Sequence, residues 1–468
     1  MNRINKADKT IYGLGNLSNG VILQALTTYL VFFGTSILGV SGTVIGIMVS
    51  VSVVWDAVSD PLIGHLSDYT LNRRFGRRHG FMLIGGIGLA FFNGFLWSIQ
   101  PEWTGFNKAL LLFINVILVK TFMTIFVTPY NALGAELSRD YHERTSIQAY
   151  RTVFFSMGLA FTTVAGMFFY FKPTEAYLIG QLNPGSYQKL GMTISLIILV
   201  CAVAASVGTF KYIEGLPKAP IGAKRKGLGP LLVEFKGIFA NKNYLYVAGA
   251  YLTTNIASAI LGAIGLHVFT YTFLMDNVAI GVVFGTIFGL SILSQGFWLA
   301  VTKKYDKKNG ALLAVAISLV GSFVFLALVL VRDLVIGQYL WLLFYAVPSG
   351  IGIGGLITLP FSMIADTVDE EEMATGHRSE GLYYGGLTFS YKMSQSIAIF
   401  MVGIILDLVG FSSAAEVQSD WTVTALGLVV AIGTLGALTG AIGFYVKYGL
   451  TKEKVDAIKA TLDQGQRS

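Results

Sequence analysis

Charge is what this sequence has least of. Only 13% of its 468 residues are Asp, Glu, Lys or Arg, against about 25% in ordinary soluble domains. So few charges do not coat a water-facing surface of this size, which excludes a soluble protein. Cysteine is almost missing as well. Cys201 stands alone, so no disulfide framework or cysteine metal cluster can form, and inside an apolar run it reads as a small buried residue. Soluble-enzyme signatures are absent: there is no Walker loop, no dinucleotide fingerprint after a strand and no paired-His zinc motif. The chain is read as a non-enzyme without a cofactor, and not as an ATP-driven pump.

What is there is apolar. The hydrophobic fraction is 54% and the mean hydropathy is +0.65. The runs 21–33, 109–119, 190–207 and 312–331 each continue to membrane-spanning length. A membrane β-barrel would show short alternating segments; these are continuous, so they predict helices. The 54 glycines are scattered among Leu, Ile, Val and Phe, as suits closely packed membrane helices. The pattern predicts an all-α membrane protein of twelve transmembrane helices in two six-helix bundles. The divisions are an N-terminal bundle over 1–210, a cytoplasmic linker over 211–242, a C-terminal bundle over 243–450 and a cytoplasmic tail over 451–468. The first apolar run has no small-residue cleavage site and reads as a retained helix.

Basic residues set the expected orientation. With the N-terminus inside, 26 of the 33 Lys and Arg residues fall in termini and cytoplasmic loops. Lys108, Lys172, Lys189 and Arg332 fall outside, and Lys120, Arg151 and Lys392 within helices. That bias predicts both termini in the cytoplasm and a net charge of +7 that reflects topology, not nucleic-acid binding. The halves echo each other. Asp68 and the run Arg73-Arg74-Phe75-Gly76-Arg77-Arg78 match Lys303-Lys304-Tyr305-Asp306-Lys307-Lys308, and Pro129 before Glu136 matches Pro360 before Asp366. Six plus six with an echo is the plan of secondary transporters that rock two bundles about a midplane site. The cytoplasmic basic turn, with Asp68, Arg77 and Arg78, is expected to act in gating rather than binding.

Charges retained inside helices are costly and mark function. Asp56 and Asp60 lie four apart on one helix face, with Ser59 beside them. Two carboxylates and neutral oxygens suit Na⁺; without Na⁺, paired acids hold a proton. A purely structural reading would pair both acids with Arg151 and Lys392. Lys120, Arg151 and Lys392 are three deep cations against two deep acids, and an anionic substrate would supply the missing charge. Tyr130 and other aromatics are core or interface residues, any of which could stack on a sugar ring.

The motifs Tyr12-Gly13-Leu14-Gly15, Trp55-Asp56-Ala57-Val58-Ser59-Asp60-Pro61-Leu62-Ile63-Gly64, Phe75-Gly76-Arg77-Arg78 and Arg378-Ser379-Glu380-Gly381-Leu382-Tyr383-Tyr384-Gly385 occur in that order. Together they resemble the glycoside–pentoside–hexuronide:cation symporters, the melibiose permease group of the major facilitator superfamily. The resemblance implies a major facilitator fold and a small-molecule saccharide as partner, coupled to Na⁺ or H⁺. It places Asp56, Ser59, Asp60 and Thr124 at the cation site, with Asp56 and Asp60 as the Na⁺ ligands if sodium is the ion. It places Arg151 and Lys392 in the central cavity, and Asn19, Lys120, Tyr130 and Asn131 join them as the expected substrate set. The family's two sugar-gripping acids fall at Gly20 and Val127 here. Losing both acids and gaining Lys120 favours a uronate or other acidic sugar.

The expected protein is thus a monomeric, multi-pass symporter of a bacterial inner membrane, surrounded by lipid and free of nucleic acid. A lysolipid or other amphiphile carrier, and a non-transporting sensor, remain as alternatives at this stage.

Overall fold

In hydrocarbon every backbone N–H and C=O needs an internal partner, and a helix supplies them within one segment. The computed structural model describes residues 4–70, 75–138, 140–216, 237–376, 379–415 and 417–465, and among these there is no strand. The helices are α1 (Lys6–Phe32), α2 (Gly42–Asp68), α3 (His79–Leu96), α4 (Gly105–Glu136), α5 (Tyr141–Ala160) and α6 (Pro184–Gly208). Then follow α7 (Lys242–His267), α8 (Asn277–Leu293), continued by Gln295–Lys304, α9 (Lys307–Leu330), α10 (Leu343–Thr375), α11 (Glu380–Leu408) and α12 (Asp420–Lys447). Eleven are continuous and apolar enough to span a membrane, and α8 makes the twelfth span across a 41° bend.

Polar residues start the helices where the pattern demands. Asn5, Asn183, Asn241 and Ser419 each accept a bond from a first-turn N–H through the side chain, which satisfies an otherwise orphaned donor. The α8 break falls where Ser294 and Gln295 reach back to the Ser291 carbonyl, at 3.3 and 2.9 Å; such competition for ladder carbonyls bends helices. Sequence periodicity alone predicts an unbroken span over 279–301. It also ends the tenth helix at 366, whereas α10 runs on to Thr375. There Asn241 and Asn243 engage Glu370 at 3.2 and 2.9 Å, and Gly376 closes the helix at φ +73°. The expected tail holds an amphipathic helix, α13 (Lys452–Gly465), docked through buried Val455 and Ile458. Arg73, Arg74, Arg378 and residues 217–236 of the expected linker lie outside the described residues.

Contacts divide the chain into two units. The first is Met1–Ala223 with Asp276–Gly281 and Phe400–Gln418; the second is Lys224–Met275, Val282–Ile399 and Ser419–Ser468. Helix pairing inside them repeats. In the first, α3 packs on α4, α1 on α6, α3 on α6 and α2 on α4; in the second, α9 packs on α10, α7 on α12, α9 on α12 and the end of α8 on α10. The internal echo of the sequence is therefore an echo of packing. In the first unit α1 and α5 cross with almost no space between backbones: a Cβ at Gly20 would lie 2.3 Å from the Phe155 carbonyl. The position to which the resemblance assigns a sugar-gripping acid is thus closed by α5, and an acidic side chain does not fit there.

The first unit also holds a charged cap. Asp407 accepts from the Gly42 and Thr43 N–H groups at 2.9 and 2.8 Å and from Ser41 Oγ at 2.6 Å. A carboxylate on free N–H groups at a helix N-terminus is favourable in both hydrogen bonding and dipole. Asp407→Ala should lower stability by about 1–2 kcal/mol, read as a lower melting temperature in detergent; an unchanged value would remove the cap from the account.

Candidate functional site

The aspartates of α2 and the polar residues of α4 meet as matched rungs. Lys120 Nζ donates to Asp56 Oδ2 at 3.0 Å, and one turn on Thr124 Oγ1 donates to Asp60 Oδ1 at 2.7 Å. Trp55 Nε1 adds a third bond, to Thr121 Oγ1 at 2.8 Å. The i, i+4 spacing on both helices puts each set on one face, so two helices aligned side by side join rung to rung. Asp56 is 3% exposed and Ser59 is 5% exposed. The Ser59 hydroxyl has no hydrogen-bond partner among the described residues, which leaves a buried neutral oxygen between the two acids.

A second cluster lies between α1, α4 and α5. The Arg151 guanidinium donates to Gln148 Oε1 at 2.8 Å and to Asn131 Oδ1. It sits 5.0 Å from the centre of the Tyr130 ring and 6.0 Å from that of Tyr12, within cation–π range. Asn16 donates to the Arg151 carbonyl at 3.0 Å, and Asn19 donates to Asn16 at 3.4 Å. Arg151 has no carboxylate within ion-pair distance among the described residues. Its Nε, and Oδ1 of Asn19, are buried without partners there.

Tyr130 has a different role from its neighbours. Its hydroxyl donates to the Tyr12 carbonyl at 2.9 Å, the Tyr12 hydroxyl donates to the Tyr130 carbonyl at 2.5 Å, and the rings stack at 4.6 Å. The pair pins α1 to α4 and offers Arg151 a ring face rather than a hydroxyl. The expected substrate set is thereby divided. Asn19, Tyr130, Asn131 and Arg151 come together, Lys120 sits on Asp56, and Lys392 is half-buried on α11 in the second unit. The deep positive charge without a described carboxylate in the first unit is Arg151, not Lys120.

The residues expected to gate form a third cluster. Arg78 pairs with Asp68 and donates to Ser67 Oγ at 2.6 Å. Both arginines converge on one oxygen of Glu136, Arg77 at 2.7 Å and Arg78 at 2.8 Å, and so tie α2, α3 and α4 together. The second unit repeats this with Lys307 on Asp366, at 2.7 and 2.8 Å. Glu136 and Asp366 are the hubs. The signal that marks them is an acid six or seven residues beyond a helix proline, seen in both halves. Asn16, Gln148 and Asp407 carried no such mark.

A family model described as MFS/sugar transport protein matches residues 11–452. The chain belongs to that family. This sugar-transporter family member is accordingly a multi-pass membrane transporter and not an enzyme. It is 25% identical to a putative glycoside/cation symporter of Escherichia coli, over 99% of this chain and 96% of that protein. It is 26% identical to a putative sulfoquinovose importer of Salmonella typhimurium, over 95% of this chain and 90% of that protein. Among solved structures, a D-xylose–proton symporter shares the fold at a TM-score of 0.65 and 13% identity, covering 94% of this chain and 97% of that one. The transporter therefore has the twelve-helix major facilitator fold in two pseudo-symmetric bundles.

Proposed function

We propose that this transporter is a cation-coupled symporter that imports a saccharide or glycoside across a bacterial inner membrane, with both termini cytoplasmic. The observation that carries the reading is the α2–α4 rung pair, with buried Asp56, half-buried Asp60, Thr124 and the unpartnered Ser59 hydroxyl. Buried acids joined to neutral oxygens are the chemistry of a coupling-ion site. Charges kept inside a membrane-spanning helix cost stability that a purely structural contact would not need.

The cluster around Arg151 supplies the saccharide side. Asn16, Asn19, Asn131 and Gln148 are uncharged donors and acceptors suited to hydroxyl groups, and two tyrosine rings flank the guanidinium. Such a lining favours a saccharide over an amphiphile. A guanidinium without a described carboxylate favours an acidic group on that saccharide, held through charge-assisted bonds. The named substrate of one relative, sulfoquinovose, is a sugar of that charge class. A bound coupling cation would strengthen an anion's binding, and the reverse follows by linkage.

Uptake into proteoliposomes under imposed cation gradients, with uronides and sugar sulfonates set against neutral glycosides, tests the reading. Arg151→Gln should weaken binding of the acidic substrate by roughly 10- to 100-fold, the worth of hydrogen bonds to a charged group. Binding of a neutral analogue should change far less. Equal losses for both would remove the acidic preference, and uptake indifferent to every cation gradient would remove the symport.

A further inference from the structure

The coupling site already contains a cation. Lys120 Nζ lies 3.0 Å from Asp56 Oδ2, with the two side chains 17% and 4% exposed. On α2 the contact is flanked by two more bonds to α4, Trp55 to Thr121 at 2.8 Å and Thr124 to Asp60 at 2.7 Å. A hard monovalent ion such as Na⁺ binds by collecting oxygens with net negative charge. Here one of the two carboxylates faces an ammonium, a compact point charge with three donors. The donor set therefore does not fit Na⁺ as it stands. Displacing the ammonium would strand a second buried positive charge in the unit that already holds Arg151.

We infer that Lys120 is a tethered cation that occupies the Asp56 carboxylate and excludes Na⁺, so that Lys120 is the residue that sets ion selectivity. The inference rests on the coupling reading of the Asp56–Asp60 site. Its physical content is competition. The ammonium is delivered by a helix that three interhelical bonds hold in register, so its effective concentration at Asp56 is far above that of any free ion. Removing Lys120 while keeping both acids leaves a site with two carboxylates, the Ser59 and Thr124 hydroxyls and a vacated space, which is the donor set Na⁺ seeks.

Binding of radioactive ²²Na⁺ to purified full-length protein in detergent, without any substrate, reads this directly. The wild type should show no saturable Na⁺ binding at millimolar concentrations, and Lys120→Ala should bind at least on the order of 100-fold tighter, the fold-change equivalent of leaving one partner of a buried pair uncompensated. Lys120→Arg should stay closed to Na⁺. Asp56→Asn/Lys120→Ala should bind no better than wild type, because the freed carboxylate is gone. As a second readout, Na⁺ but not choline should raise the melting temperature of Lys120→Ala and leave that of the wild type unchanged. Saturable Na⁺ binding by the wild type overturns the inference whether or not the variant folds, and so does a folded Lys120→Ala that binds none. Either result leaves the coupling reading standing. That reading fails separately, if Asp60→Asn protein still accumulates substrate against its gradient.

Discussion

Asp60→Asn is expected to abolish cation-driven accumulation while leaving exchange of substrate at equal concentrations measurable. Asn has the shape of Asp, and its side-chain oxygen can accept the same 2.7 Å bond from Thr124. The α2–α4 contact therefore survives and only the negative charge is lost. Asp56 cannot compensate, because its carboxylate is engaged by Lys120 at 3.0 Å. Coupling requires a group whose affinity for the driving ion differs between conformational states, and a ligand moves an equilibrium only by that difference. A neutral amide at position 60 has little affinity for a cation in any state. Substrate loaded inside proteoliposomes should still exchange with labelled substrate outside, and net uptake should stop at the external concentration. Full accumulation by the Asn variant would rule out Asp60 as the coupling acid.

Glu136→Gln is expected to be the most destabilising of the charge-removing substitutions. One Glu136 oxygen receives Arg77 at 2.7 Å and Arg78 at 2.8 Å; Arg78 is buried, and Glu136 and Arg77 are mostly buried, at 13% and 14% exposure. Removing one member of a buried ionic group leaves the others uncompensated and costs about 3–5 kcal/mol. Arg78 retains Asp68 and Ser67, so Arg77 bears most of the loss. Arg77→Gln in the same chain should then recover part of the stability, since the two changes touch one network and do not add. Thermal unfolding in detergent of the two single variants and the double variant measures this. Strict additivity would mean that the pair is not coupled. Neutralising Arg77 and Arg78 together should change transport rate with substrate affinity held within a few-fold, because the two arginines tie helix ends through Asp68 and Glu136.

Much of this was written in the order of residues. Low charge and long apolar runs require helices, because only a helix pairs its own backbone in hydrocarbon. The internal echo of basic turn, proline and acid is local in the chain, so it could be read before any contact was known. Its structural counterpart is Arg77 and Arg78 on Glu136 and Lys307 on Asp366. The one-face placement of Asp56 and Asp60 follows from helical period alone. Helix ends were less legible where side chains act on backbone carbonyls. The α8 break depends on Ser294 and Gln295 turning back on Ser291, and the added turns of α10 depend on amides contributed from more than a hundred residues away.

Composition and period thus determined the membrane, the helices, the twofold plan and the placement of Asp56 and Asp60 on one helix face, since each is written in the order of residues along the chain. Which cation meets which acid was decided only by tertiary structure. Counting charges left Lys120, Arg151 and Lys392 equivalent, because a count carries no distance. Packing of α2 along α4 gave Asp56 to Lys120, and packing of α5 on α1 and α4 gave Arg151 to amides and tyrosine rings. The same packing closed Gly20 against the Phe155 carbonyl, so the position that seemed to have lost an acid is one where a helix crossing leaves no room for it.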